Sequence, residues 1–186
     1  FSYTASMTKE FSPRQLDVKA FAQVGGTLSG HDSLLTYERL AHEAKSLHPD
    51  LLVDWQAVGE LRTALGGTGQ VWLRIKVAAS FPMECQRCLT PVDFPLEVDR
   101  EFRFVADEAT AEALDDDCEE DLLVLSRDFD LHGLIEDELL MAFPVVPKHE
   151  ECPTDVPLAS SDEDFEEANA EKPNPFASLA ALRKGS

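Results

Sequence analysis

The chain has 186 residues, with 36 acidic and 16 basic side chains and a net charge of −20. That length allows one core, or one core with a long appendage, and that charge disfavours broad binding to bare nucleic acid. There is no run of eighteen apolar residues, so no membrane-spanning helix is predicted, and without a basic-then-apolar start no signal peptide is expected.

The charge is unevenly spread. Residues 101–186 carry 18 of the 20 net negative charges. Asp107–Asp121 and Glu150–Glu171 each hold nine acids and no base. Such runs are expected to be solvated and flexible, and a basic partner is their natural complement. The chain opens on Phe1, and Met7 is read as the natural start. The expected location is cytoplasmic.

In chain order, Pro13–Ala22 fits a strand or a short helix. Gly25, Gly26 and Gly30 mark turns. Ser33–Lys45 has a helical stripe of Leu34, Leu35, Leu40, Ala41 and Ala44, which predicts one helix. Residues 51–61 alternate, with Leu51, Val53, Trp55, Ala57 and Leu61 on one face of a strand. Gly66, Gly67 and Gly69 then predict a hairpin turn. Val71, Leu73, Ile75, Val77, Ala79, Phe81 and Met83 keep period two up to Cys85. A third such run follows with Val92, Phe94, Leu96, Val98, Phe102 and Phe104. Trp55 and Trp72 fall in these strands and read as core or sheet-face residues. Apolar-faced antiparallel strands need a cover. A helix near 130–143 supplies it, N-capped by Asp130, with Leu131, Leu134, Ile135, Leu139 and Ala142 inward. Glu136 and Asp137 are expected to face water and His132 to lie at the surface or boundary. Pro144 and Pro147 end the helix and stiffen its exit.

The predicted fold class is α+β: an antiparallel β-sheet or partly closed barrel covered by one or two helices, with a disordered acidic C-terminal segment. Residues 1–152 form the compact part and 153–171 an acidic linker. Residues 172–186 form an amphipathic docking peptide, with Phe176, Leu179 and Leu182 on one face and Asn174 and Pro175 at its start.

Two pairs carry chemistry: Cys85 with Cys88, and His149 with Cys152. Both have two intervening residues, a spacing that lets one turn aim two side chains at a single ion. Together they supply a tetrahedral Cys3His set, for which zinc is the expected metal. Four protein ligands close the shell, so such a site is structural and not hydrolytic. Reduced free thiols, a redox pair or a disulfide are competing readings. The redox reading needs a helix start at the pair, whereas Pro91 and a strand follow. Cys118, alone in an acidic run, reads as a free thiol. Asp115, Asp116 and Asp117 read as solvated charge and not as a metal site. No GxGxxG, Walker, GxSxG or HExxH motif occurs, and no enzyme activity is expected.

The segments Met83–Val92, Glu136–His149 and Glu171–Lys184 together resemble the YceD-like large ribosomal RNA subunit accumulation proteins, over about residues 8–184. The resemblance implies a bacterial cytoplasmic, non-enzymatic factor needed for accumulation of large-subunit (23S) ribosomal RNA. Its expected partner is that RNA or a basic ribosomal protein, which it would mask or deliver. The alternative is a zinc-stabilised adaptor that brings an RNA-processing enzyme to its substrate. Neither reading involves a membrane or a small-molecule substrate.

Overall fold

A computed structural model describes residues 11–155, except 45, 47 and 64–68. Four α-helices and five strands follow in the order α1 (Val18–Gln23), β1 (Thr27–Ser33), α2 (Glu38–Glu43), β2 (Leu52–Arg62), β3 (Gln70–Glu84), β4 (Pro91–Val105), α3 (Glu108–Asp115), β5 (Asp121–Val124) and α4 (Leu131–Met141), with a 3-10 turn at Leu34–Thr36 before α2. The strands form one sheet in the order β1-β2-β3-β4-β5. The first three pairings are antiparallel and β4–β5 is parallel. The expected α+β class with an antiparallel sheet is what forms, and the sheet is open and not a partly closed barrel.

The period-two runs become β2, β3 and β4. Val53, Trp55, Ala57, Val71, Leu73, Ile75, Val77, Phe81, Leu96, Val98, Phe102 and Phe104 are buried on one face. Leu61 has the right phase but lies at the strand end and is exposed. Helix α4 forms as predicted, with Asp130 accepting from the Gly133 N–H at 2.9 Å, and buries Leu131, Ile135 and Leu139. Helix α1 resolves the ambiguity at 13–22: Asp17 caps it by accepting from the Ala20 N–H at 3.0 Å. Phe21 then presses onto β2, where a Cβ on Gly59 would lie 2.5 Å from its ring.

Five sequence expectations are not met. The glycine-marked stretch after α1 contains strand β1, paired with β2. Asp107–Asp121 is not simply a flexible run. Asp107 accepts from the Thr110 N–H at 2.8 Å and starts α3, whose alanines favour a helix, and the crossover leads to β5. None of α3 is buried, so its acids are nonetheless solvated. The single helix expected at 33–45 is split at Tyr37, whose extended backbone turns its ring fully into the core. There it stacks on His132 at 4.0 Å, and its hydroxyl donates to Asp32 at 3.1 Å. His132 is therefore buried.

Glu136 is also buried and does not face water. Helix α2 has no side-chain cap of its own. Glu136 provides one, accepting from the Arg39 N–H at 2.7 Å and the Leu40 N–H at 3.2 Å, while Arg39 Nε donates to its other oxygen at 2.9 Å. Burial pushes this carboxyl's pKa up, but the Arg39 and N–H donors outweigh it and hold the group below its ordinary range.

Glu136→Ala should therefore destabilise the protein by about 2 kcal/mol at neutral pH in urea melts, through the lost cap and the orphaned donors. A depressed native pKa means that the wild-type advantage is complete above the ordinary glutamate range. It is lost as pH falls through the native value, so the two unfolding curves should converge in acid.

Candidate metal centre

The candidate ligands sit where the sheet needs support. Strand β2 pairs with β3 only as far as Ala79, whereas the β3–β4 pairing runs on to Glu84 and Pro91. Residues 80–84 and 91–95 are thus a two-stranded ribbon projecting past the sheet, and such a ribbon is marginal alone. Phe143, beyond α4, meets Phe81 at 4.6 Å between ring centroids and covers its base.

The ribbon tip is a compact knuckle. The Cys85 N–H donates to the Thr90 carbonyl at 3.0 Å and the Leu89 N–H to the Cys85 carbonyl at 2.9 Å. Closing that turn needs a left-handed residue, and Leu89 takes it at φ 58°. The chain leaving α4 docks against this knuckle. The Gln86 N–H donates to the Pro147 carbonyl at 2.8 Å. Arg87 donates to the His149 and Glu150 carbonyls at 3.0 and 3.2 Å.

These contacts bring together all four residues expected from sequence. One ligand atom each from Cys85, Cys88, His149 and Cys152 lies within 4.8 Å of every other. A tetrahedral zinc site with sulfur at about 2.3 Å has edges of about 3.8 Å. Contraction by an ångström at most would bring the group to that size. Cys85 is fully buried and the other three are half-buried.

The hydrogen bonds favour a thiolate. Burial pushes the Cys85 thiol up, but N–H groups of Cys88, His149 and Arg87 and the His149 ring bring it down to about 5. The His149 N–H to Cys85 Sγ distance is 3.4 Å. His149 Nε2 lies 3.1 Å from the Pro91 carbonyl, which can only accept, so Nε2 carries a proton. Nδ1 then faces Cys88 Sγ at 3.4 Å. Hydrogen bonding to Cys85, opposed by burial, raises the imidazole pKa. An imidazole anchored to a carbonyl through one nitrogen with the other aimed at thiols is the usual outer-shell pattern of a metal-ligating histidine.

Arg87, Leu89 and Thr90 carry no sequence expectation, and Pro91 is read only as a break after the CxxC. Arg87 inside the CxxC was the available signal. Cys118 is a free thiol, pushed up by burial and by Glu120. Asn174, Pro175, Phe176, Leu179 and Leu182 lie outside the described residues, as does the linker beyond residue 155. Among the described residues, no helix is long and apolar enough to cross a membrane.

An open sheet with a four-ligand Cys3His knuckle at its projecting end defines an α+β protein that could bind a metal. The chain belongs to the YceD family: the model of "Large ribosomal RNA subunit accumulation protein YceD" matches residues 73–183. It is 35% identical over 119 residues to the Large ribosomal RNA subunit accumulation protein YceD of Haemophilus influenzae, covering 61% of this chain and 66% of that protein. The match thus spans just under two thirds of the relative. No solved structure matches the chain. The family's description names an accumulation role and no reaction.

Leu89 offers a test of the knuckle geometry, because it is exposed and so carries little packing energy. Leu89→Val should destabilise the protein by about 1 kcal/mol, since a β-branched residue resists the left-handed conformation. Leu89→Gly should be neutral or stabilising. Chemical denaturation of the two variants side by side gives the comparison.

Proposed function

We propose that this chain is a non-enzymatic factor supporting accumulation of large-subunit ribosomal RNA, and that it acts through a basic ribosomal protein and not through RNA phosphates. Support for the first part is family membership. One observation carries the second. Every described basic side chain of β2, β3 and β4 already has a carboxylate within ion-pair distance. Arg62 meets Glu101 at 3.0 Å, Arg74 and Lys76 meet Asp99 at 2.8 and 3.5 Å, Arg103 meets Glu120 at 3.6 Å, and Arg100 meets Asp121. A phosphate would have to displace those partners against the net charge of the chain. A cationic protein segment meets no such obstacle.

We further propose that Cys85, Cys88, His149 and Cys152 hold one zinc ion as a structural clip. Three thiolates and one imidazole suit zinc, and four protein ligands leave no position for a reactive water. The clip ties the exit of α4 to the ribbon.

Two measurements test these statements. The purified chain should carry one zinc per molecule by elemental analysis, and Cys88→Ser should lose it together with several degrees of Tm. Metal-free protein with unchanged Tm in the variant would remove the clip. For the partner, neutralising Asp115, Asp116, Asp117, Glu119 and Glu120 to amides should slow association with RNA-free large-subunit ribosomal proteins at low salt, with little change in dissociation. An unchanged association rate would leave the acidic run a solubility feature.

A further inference from the structure

The acidic stretch and α4 together build a groove. It is about 670 Å³ in volume and lies between the residues around β5 and the outer side of α4. Its apolar lining includes Leu122, Leu123, Leu134, Leu140 and Met141, over the buried Phe102. The four leucines are half-buried and Met141 is 72% exposed, so apolar surface faces solvent here.

Acids surround that lining. Asp115, Glu119, Glu120, Asp121, Asp137 and Glu138 all contribute, against Arg100 as the one cation. Arg100 is engaged by Asp121 and lies 3.9 Å from Glu138. Arg39 and Arg103 reach Asp137 and Glu120 from outside the groove. Among the described residues, Asp115 and Glu119 have no cation within ion-pair distance. Acids therefore outnumber cations even with those neighbours included, and the excess borders apolar surface. Glu138 is 92% buried in this setting, by the 8% of its surface that remains exposed. Its carboxyl is pushed up by burial, which Arg100 offsets only in part and to which Asp121 and Asp137 add.

We propose that this groove receives a basic segment with interspersed apolar side chains from a large-subunit ribosomal protein. This rests on the reading that the chain engages such a protein, and it locates where. Apolar residues of the segment would cover Leu134, Leu140 and Met141, while its lysines and arginines would meet the acidic border. Complementarity of this kind fixes register and speeds encounter. An RNA backbone would meet repulsion from the same border.

The test uses the full chain and a mixture of RNA-free large-subunit ribosomal proteins. Glu119→Lys combined with Met141→Lys changes two exposed groove residues, so the fold should persist, as circular dichroism would check. Binding at moderate salt should weaken about tenfold or more, the loss of roughly 1.4 kcal/mol. Leu52→Lys, on β2 beyond β3 and β4 from the groove, should change it less than about twofold. A photo-cross-linking residue at position 141 should capture a basic ribosomal protein. If wild type binds but the double variant binds equally well, the groove assignment is overturned and the broader reading stands. If the cross-link instead joins residues 172–184 of the same chain, the groove is covered by its own tail and the proposal also fails. Absence of any ribosomal-protein binding by wild type would overturn both readings.

Discussion

The arrangement depends on a ribbon that outruns its sheet. Strands β3 and β4 are fifteen residues each, and their last five pairs have no third strand beside them. Two strands in water hold each other weakly. Everything at that end of the molecule compensates for this. Phe143 packs on Phe81, the Gln86 N–H holds Pro147, and Arg87 grips the backbone at 149 and 150. These contacts in turn set the four ligand residues close enough for one ion. A metal ion held there would act on the same weakness, because it would close a loop of about sixty residues between the ribbon tip and the exit of α4.

Electrostatics explains how so acidic a chain keeps a well-defined surface. On the strands, each cation is held by a neighbouring carboxylate, often across the β3–β4 ladder. Exposed pairs of this kind contribute little stability individually. Their larger consequence is for recognition, since they leave no described strand cation available to a phosphate without competition. Negative charge left over after this pairing gathers around α3, β5 and the outer side of α4. Inside the molecule, polar groups are matched differently. Asp32 accepts from both Tyr37 and Trp55, and Glu136 caps a helix distant in sequence.

The parts legible in the sequence were those with a strong period. Strict alternation placed β2, β3 and β4 to within a residue or two, and a polar cap followed by a helical stripe placed α4. The four candidate ligands could be named because CxxC and HxxC spacings reflect turn geometry. What escaped depended on tertiary contacts. Strand β1 alternates weakly, with Gly30 lying against Trp55, and β5 is four residues hidden in an acidic stretch. Tyr37 breaks its helix because the core accepts its ring. Glu136 carries a charge that sequence reasoning assigns to water, and only the uncapped end of α2 explains its burial. Leu89 could not be recognised as left-handed, since glycine usually signals that conformation.

The central claim is that the knuckle and the exit of α4 are joined through one metal ion. X-ray absorption at the zinc edge of the purified full chain tests this most directly. The account predicts a single four-coordinate environment with three sulfurs at about 2.3 Å and one imidazole nitrogen at about 2.0 Å. A shell dominated by oxygen or nitrogen, or one with only two sulfurs, would contradict it, because the 149–152 segment would then not be joined to the ribbon by the metal.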